Sequence, residues 1–250
     1  MDTLKVYKIG LVPYRKALDL QLNLLEKRKN GEIGDSLLLL EHPPTFTIGR
    51  KGNKKHLLMN ERYLSERGIH FEEISRGGDI TFHGPGQLVG YPIMDLNTKG
   101  RDVHKYLRGL EESIVMVLED FGISANRIEG LTGVWVKGHK IASIGVGVKR
   151  WVTYHGFALN VNTDLSYFDM IVPCGIPDVK MTSIAGCLRE KEGIQIEDVE
   201  EAVVKSFIKI FGFENAKVIT AFDYNPENLL ESDLLYNLEE ELEKDLDLLI

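Results

Sequence analysis

The stretch Arg76-Gly77-Gly78-Asp79-Ile80-Thr81-Phe82-His83-Gly84-Pro85-Gly86-Gln87-Leu88 combines a bendable backbone with an apolar strand pattern. Its four glycines and one proline allow sharp turns, because glycine adopts backbone conformations that other residues avoid. Charged and polar side chains lie around the apolar Ile80 and Phe82. A hairpin that only turns the chain and a loop that shapes a binding site both fit this composition. The rest of the sequence must decide between them.

The composition is that of a globular protein. The chain has 250 residues, 43% of them hydrophobic, which suffices for one α/β domain with a buried core and a possible small appendage. No apolar run approaches the roughly 18 residues that a membrane helix needs, and the first residues lack a signal or transit pattern. We therefore expect a cytoplasmic protein without membrane association. Two cysteines do not make a disulfide framework, so each is treated as a free thiol.

The net charge of −8 is concentrated at the C-terminal end of the chain. Residues 226–250 contain nine acidic residues and one lysine, so residues 1–225 are formally neutral. This balance excludes the basic face expected of a nucleic-acid-binding protein. The leucines of the acidic segment have helical spacing, at positions 230, 234, 235, 238 and 242. We predict a domain of residues 1–225 followed by an acidic, leucine-containing helical tail of residues 226–250.

Hydrophobic periodicity predicts both helices and strands along the domain. Alternating or continuous apolar runs predict strands at residues 4–9, 36–40, 133–137, 140–148 and 151–162. Helical periodicity predicts helices at residues 13–30, from the cap Asp102 to Phe121, and at 197–211. In the first of these helices, Leu18, Leu22 and Leu25 are predicted to face the core. Prolines predict an extended loop over residues 41–50.

Cys174 is the sharpest single candidate for a nucleophile. It lies between Pro173 and Gly175, in a segment that excludes a helix or central strand, whereas Cys187 has apolar neighbours and is interpreted as an inert core thiol. A free thiol is mostly protonated at neutral pH, so a nucleophilic cysteine needs a cation or a base nearby. Because a lone loop cysteine is more often incidental than catalytic, Cys174 needs such a partner to be convincing.

Lys140 could supply that cation. Strict alternation along residues 140–148 places Lys140 on the face of Ala142 and Ile144, with Ser143 and Gly145 on the opposite face. The pattern alone favours a strand-end lysine whose amine reaches water, but a cation beside a site also fits it. The next strand carries the small residues Gly156 and Ala158, which either leave room for a groove or mark bulges.

The glycine-rich stretch closely resembles the signature of the lipoyl(octanoyl) transferases, the octanoyl-ACP:protein N-octanoyltransferases. The resemblance extends from about residue 4 to residue 222 and leaves out the acidic tail. It implies a biotin/lipoate protein ligase-like fold of the α/β (α+β) class, with a mixed β-sheet flanked by helices, for residues 1–225. Three further matches occur in the family's order: Glu41-His42-Pro43-Pro44 with Gly49-Arg50, His139-Lys140-Ile141-Ala142-Ser143-Ile144-Gly145, and Cys174-Gly175-Ile176 with Thr182-Ser183.

The resemblance also implies an activity, namely transfer of an octanoyl or lipoyl group from acyl carrier protein to the target lysine of lipoyl domains. The acceptors would be the E2 subunits of 2-oxoacid dehydrogenases and the glycine cleavage H protein. Cys174 would carry the acyl thioester and Lys140 would be its partner, in a monomer that needs no metal, cofactor or nucleic acid. The implied substrate-binding residues are Arg76, Gly77, Gly78, Asp79, Ile80, Thr81, Phe82, His83, Ser143, Ile144, Gly145, Gly156, Phe157 and Ala158.

Physical chemistry makes sense of these residue types. A carrier-bound thioester is already activated, so a thiolate can attack it without ATP. Burying an eight-carbon chain yields up to roughly 5 kcal/mol at about 0.8 kcal/mol per methylene. We predict that Gly77, Gly78, Gly145 and Gly156 form the wall of the tube that holds this chain, because they have no side chains.

Three other functions remain open on the sequence alone. An ATP-dependent lipoate or biotin ligase of the same fold would use the glycine-rich loop to hold an acyl-adenylate phosphate. An amidotransferase would move octanoyl groups between lipoyl domains with the same acyl-cysteine chemistry. A non-catalytic carrier-binding scaffold would act through the leucine-rich tail. A requirement for ATP, competition between acyl donors, and deletion of residues 226–250 separate these alternatives from the transferase.

Overall fold

The computed structural model describes residues 2–188 and 193–220. In this part of the chain the apolar runs form eleven strands, and the periodic segments form five helices. The strands are β1 (Thr3–Leu11), β2 (Ser36–Glu41), β3 (Thr45–Ile48), β4 (His70–Glu73), β5 (Ile80–His83), β6 (Gln87–Ile93), β7 (Asn126–Ile128), β8 (Leu131–Val136), β9 (His139–Lys149), β10 (Val152–Asn160) and β11 (Asn215–Thr220). The helices are α1 (Tyr14–Lys29), α2 (Glu61–Ser65), α3 (Val103–Asp120), α4 (Ile184–Cys187) and α5 (Ile196–Phe211).

The strands form one large and one small sheet, and both are mixed. The eight-stranded sheet has the order β11-β1-β2-β6-β10-β9-β8-β7. Its β11–β1 and β1–β2 pairs are parallel and the others are antiparallel. The small sheet has the order β4-β3-β5. The predicted strands and the mixed sheet flanked by helices are therefore confirmed.

Helices cover the two faces of the large sheet. On one face, α3 and α5 pack on the sheet through Leu110, Ile114 and Phe207, which are fully buried. Each such side chain contributes about 1.5–3 kcal/mol by leaving water. Asp102 caps α3 as predicted, because its side chain accepts a hydrogen bond from the Lys105 amide. On the other face, α1 packs against β2 and β6.

The predicted inner face of α1 is only partly correct, because Leu25 is buried but Leu22 is not. Its buried residues include Ala17, Leu20, Leu24 and Leu25, whereas Leu22 is 40% exposed. The reason is a polar residue on the buried face. Gln21 is fully buried because its side-chain oxygen accepts a hydrogen bond from the backbone of β10, and a search for apolar periodicity does not anticipate such a contact.

The predicted extended loop over residues 41–50 is also only partly correct. The prolines end at position 44, and the following Thr45–Ile48 forms β3, which pairs with β4 and β5. Proline blocks strand pairing only at its own position, because it lacks the N–H group there. The small sheet carries the middle of the glycine-rich stretch as β5, and the stretch ends in β6 of the large sheet.

Two further expectations concern the acidic tail and membrane-spanning helices. The tail of residues 226–250 lies outside the described residues, so its predicted helix is not addressed by the structure. Among the described residues, none of the helices combines the length and apolar character needed to cross a membrane.

Candidate active site

A cavity of about 240 Å³ lies where the glycine-rich stretch passes over the large sheet. Strands β9 and β10 contribute Ser143, Gly145, Gly156 and Ala158 to its wall. Its open end is bordered by the partly exposed β7–β8 turn and by the loop that carries Cys174. The other end is closed by side chains that are almost fully buried. The cavity therefore has a mouth with a thiol and a closed interior end.

Lys140 and Cys174 meet at this mouth. The Lys140 amine is 3.2 Å from the Cys174 sulfur and also donates to the carbonyl oxygen of Thr132 at 3.0 Å. Lys140 is only 2% exposed, and its amine lies 5.4 Å from the ring centroid of Trp135. A cation at this distance favours the thiolate, which is the nucleophilic form of cysteine. The interpretation of Lys140 as a lysine that reaches water is therefore wrong.

A β-bulge brings Lys140 to the side of Ser143. Val134 of β8 pairs with Ala142, but the next residue, Trp135, pairs with Lys140, so Ile141 has no partner in β8. This extra residue breaks the alternation, which would have placed Lys140 and Ser143 on opposite faces. The Ser143 hydroxyl lies 3.8 Å from the Cys174 sulfur, on the same side as the amine. The predicted face of Lys140 is thus wrong.

Cys174 occupies a strained turn. Its φ of +58° lies in the left-handed region, where a residue with a β-carbon is uncommon, and Gly175 follows with a φ of +67°. The turn is fixed by hydrogen bonds from the Gly175 amide to the Val172 carbonyl and from the Val172 amide to the His56 carbonyl. Strained backbone of this kind persists only where the surrounding structure holds it, and it is common at functional sites.

Asp79 supports the same turn from the glycine-rich stretch. Its carboxylate accepts hydrogen bonds from the amides of Asn53 and Ile80 and from His56 Nδ1, the last at 2.8 Å. A β-carbon added at Gly175 would lie 2.6 Å from this carboxylate, so the two segments are in close contact. Asp79 thus ties the glycine-rich stretch to the loop beside the thiol.

Arg76 lies in the wall of the cavity without a carboxylate partner in the described part of the chain. Its guanidinium donates to the carbonyl oxygens of Gly77 and Thr47 and to the Thr47 hydroxyl. The residue is 8% exposed, and burial lowers the pKa of Arg76 from its ordinary value. A buried cation held by neutral acceptors places positive potential in the cavity wall.

Histidines and tyrosines near Arg76 form the closed end of the cavity and its support. His42 donates from Nδ1 to the Val12 carbonyl and accepts from the Tyr91 hydroxyl, and burial lowers the pKa of His42 to about 4. Burial, with Arg76 as a smaller cause, lowers the pKa of His155 to about 3. Burial is also the main cause that places the pKa of His83 well below its usual value. These three imidazoles are therefore neutral at pH 7.

Three of the four glycines predicted as wall residues, Gly78, Gly145 and Gly156, line the cavity, but they do so in close contact with other protein atoms. A β-carbon at Gly145 would lie 2.9 Å from the Gly77 carbonyl oxygen, and one at Gly156 would lie 2.1 Å from the Gly90 carbonyl oxygen. Added β-carbons at Gly77 and Gly78 would also meet protein atoms, at 3.5 and 3.3 Å. Close approach to another backbone explains the glycines at positions 145 and 156, and a φ of +87° favours glycine at position 78, whereas the contact at Gly77 is an ordinary van der Waals distance.

The structure brings together most of the predicted site residues. Those that line the cavity are Arg76, Gly78, Asp79, Thr81, His83, Lys140, Ser143, Ile144, Gly145, Gly156, Phe157, Ala158 and Cys174. Gly77 is adjacent, with its amide bonded to the Val146 carbonyl. Ile80 and Phe82 point the other way and pack in the apolar cluster of the small sheet, because side chains alternate along β5.

Sequence reasoning missed several residues of the cavity lining: Tyr14, Tyr91, Gly130, Leu131, Thr132, His155 and Ile176. They come from five separate segments, and no local pattern distinguishes them from core or loop residues. Cys187 is partly buried, packs at the edge of the main apolar cluster, and lies 3.6 Å from the Thr182 hydroxyl. Among the described residues no three His, Cys, Asp or Glu side chains are placed to hold a metal ion.

Comparison with known proteins assigns the chain to a family. The profile of the lipoyl protein ligase A/B catalytic domain matches residues 13–208. An octanoyltransferase of Solibacter usitatus is 50% identical over 209 residues, which cover 83% of this chain and 92% of that protein. The chain belongs to the octanoyltransferases of this family. It is an acyltransferase by family, and the resemblance seen in the glycine-rich stretch is confirmed.

Solved structures confirm the fold. Lipoate-protein ligase A bound with ATP superposes with a TM-score of 0.72 at 16% identity and covers 97% of this chain and 94% of its own. Biotin protein ligase from Aquifex aeolicus in complex with biotin and ATP gives a TM-score of 0.51 at 13% identity, covering 85% of this chain and 71% of its own. The predicted biotin/lipoate protein ligase-like fold is therefore correct.

Proposed function

We propose that the protein transfers an octanoyl group from acyl carrier protein to the target lysine of a lipoyl domain through an acyl thioester on Cys174. The observation that carries this proposal is the 3.2 Å contact between the Lys140 amine and the Cys174 sulfur at the mouth of the cavity. An ATP-dependent ligase joins an activated acyl group directly to the acceptor and does not require an adjacent amine and thiol. The donor, the covalent intermediate and the acceptor are all parts of the proposal.

The first half-reaction uses the thiolate. The Cys174 sulfur attacks the carbonyl carbon of the donor thioester, a new carbon–sulfur bond forms, and the bond to the carrier sulfur breaks. The carrier leaves as a thiol with the proton that the Lys140 ammonium gives up. Loss of this proton is favourable at that moment because the negative sulfur beside Lys140 has become a neutral thioester, and a buried ammonium without a partner is costly.

The second half-reaction uses the neutral amine of Lys140 as a base. The amine of the acceptor lysine attacks the acyl group on Cys174, an amide bond forms, and the carbon–sulfur bond breaks. Lys140 takes the proton from the attacking amine, which restores the ammonium next to the released thiolate. The attraction between an ammonium and a thiolate at this distance is worth about 1 kcal/mol in water and several times more at a buried site. The burial of Lys140 therefore stabilises the thiolate that begins the first half-reaction and the thiolate that the second one releases.

The test is intact mass spectrometry of the full chain mixed with octanoyl-acyl carrier protein in the absence of nucleotide. We expect the mass of one octanoyl group to appear on the protein and to disappear when a lipoyl domain is added. Cys174→Ser should stay unmodified while Cys187→Ser behaves as the parent. Acylation that depends on ATP would instead indicate a ligase, and a faster reaction with an octanoylated lipoyl domain as donor would indicate an amidotransferase.

Lys140→Arg separates the two half-reactions. Arginine keeps the positive charge but does not act as a base, since its guanidinium stays protonated. We expect rapid-quench measurements to show acylation of Cys174 close to that of the parent and transfer to the lipoyl domain slowed by about 10²-fold or more. Equal loss of both half-reactions would contradict the proposed role of Lys140.

A further inference from the structure

The closed end of the cavity is polar, although an octanoyl chain ends in a methyl group. His155 lines this end and is 1% exposed, yet neither of its ring nitrogens has a hydrogen-bond partner in the described part of the chain. Two further buried nitrogens on residues next to it, Gln21 Nε2 and Arg76 Nε, also lack partners. Buried polar groups are nearly always satisfied in folded proteins, so the unpartnered nitrogens of the two cavity-lining residues, His155 and Arg76, point to a polar occupant.

The position of His155 is set by the fold. Its φ of +55° is left-handed, and the side-chain oxygen of the buried Gln21 accepts its backbone N–H at 2.8 Å. Its ring lies against the ring of Tyr154, with centroids 4.6 Å apart, and edge-on to Tyr91. Strained backbone maintained by a dedicated buried hydrogen bond is typical of functional positions. The imidazole is therefore held beside the cavity rather than placed there by chance packing.

The distance from Cys174 to His155 matches the length of the proposed acyl group. The Cys174 sulfur lies beside Ser143, which pairs with Ala158, three residues along β10 from His155. Three strand residues span about 10 Å. An extended eight-carbon chain spans about 9 Å, given carbon–carbon bonds of about 1.5 Å. The eighth carbon of a chain attached to Cys174 therefore reaches the level of His155.

We propose that His155 makes the closed end of the cavity a polar subsite, which favours acyl chains with a hydrogen-bonding group near the eighth carbon over longer apolar chains. The inference rests on the proposed function, because it takes the acyl chain to start at Cys174. A neutral imidazole offers one donor and one acceptor to such a group. A longer apolar chain would cover the ring nitrogens without replacing a hydrogen bond, which is unfavourable.

The test compares acylation of Cys174 by octanoyl, 8-hydroxyoctanoyl and decanoyl groups, each presented on the same acyl carrier protein. For the parent we expect the kcat/KM for the 8-hydroxyoctanoyl donor to lie within about tenfold of that for the octanoyl donor. The kcat/KM for the decanoyl donor should be the lowest of the three. His155→Leu should lower the ratio of 8-hydroxyoctanoyl to decanoyl by at least about tenfold. His155→Asn keeps a polar group and tolerates the left-handed backbone, so its ratio should stay near that of the parent.

The selectivity ratio reports on recognition rather than on general damage, which would slow all three donors alike. His104→Leu on the exposed surface of α3 is the matched control and should leave the ratio unchanged. A parent that accepts 8-hydroxyoctanoyl more than about hundredfold worse than octanoyl overturns the proposal, and this holds even if His155→Leu does not fold. A folded His155→Leu with an unchanged ratio also overturns it. Failure of the parent to form any octanoyl-Cys174 would instead refute the proposed function.

Discussion

The two cysteines of this chain occupy contrasting environments. Cys174 and Cys187 are thirteen residues apart and are both partly exposed. Cys174 lies in a strained left-handed turn with an ammonium donor 3.2 Å from its sulfur. Cys187 ends the short helix α4, and within the described residues the hydrogen-bonding neighbour of its sulfur is the Thr182 hydroxyl. Charge and backbone geometry, rather than exposure, distinguish the candidate nucleophile from the ordinary thiol.

The largest expected difference between the two cysteines is in the activity that remains when each is replaced by serine. We expect Cys174→Ser to lower kcat/KM for octanoyl transfer by about 10⁴-fold or more, because the loss of a nucleophile removes the covalent route. Cys187→Ser should stay within about twofold of the parent, as is usual away from the reacting groups. Steady-state assays with octanoyl-acyl carrier protein and a lipoyl domain measure both values. A Cys174→Ser enzyme as fast as the parent would remove the contrast altogether.

The glycines beside the two cysteines should tolerate alanine to different degrees. Gly175→Ala places a β-carbon 2.6 Å from the Asp79 carboxylate at a φ of +67°, so we expect a loss of about 2 kcal/mol in the free energy of unfolding. In Gly186→Ala the added β-carbon would lie 3.3 Å from the Ser183 hydroxyl that caps α4, while alanine favours helix by up to about 1 kcal/mol, so we expect the free energy of unfolding to change by less than about 1 kcal/mol. Urea denaturation of both variants is the measurement. Equal stability of the two would show that the Cys174 turn is not constrained.

The ammonium should make the two thiols react at different rates. In Lys140→Met we expect alkylation of Cys174 by iodoacetamide at pH 7 to slow by about tenfold relative to Cys187, which corresponds to about 1.4 kcal/mol of lost thiolate stabilisation. Lys105→Met, an exposed change on α3, is the control and should leave the ratio of rates as in the parent. Peptide mass spectrometry follows both cysteines in one sample. An unchanged ratio in Lys140→Met would mean that the contact does not activate the sulfur.

Local pattern anticipated the elements but not the contacts between them. The strands that became β1, β2, β9 and β10 and the capped helix α3 were predictable, because their signals lie within a few neighbouring residues. The buried face of α1 was not, because Gln21 is buried by a partner 134 positions away. The prediction also placed Lys140 on the wrong side of β9. The bulge that turns it is visible only in the pairing of β9 with β8, which is not a local feature of the sequence.

The candidate site was predictable where the family signature covers it. The signature supplied Cys174, Lys140 and the wall from Arg76 to His83, most of which meet around one cavity. His155 directly precedes the matched Gly156, yet nothing in the sequence marks its backbone as left-handed or its ring as unpartnered. Those properties depend on the packing of His155 against α1 and against Tyr91 of β6, both of which are distant from it in sequence.

The unpaired Ile141 makes the site depend on strand pairing as well as on residue identity. Lys140 and Ser143 flank the same sulfur because the bulge takes up one of the residues between them in β9. The same residues paired without the bulge would retain both chemical groups, yet regular pleating would turn the ammonium to the side of the strand opposite Ser143. Alignments that score only matching letters would not detect this difference. The register between β8 and β9 is therefore a third condition for the chemistry, alongside the amine and the thiol.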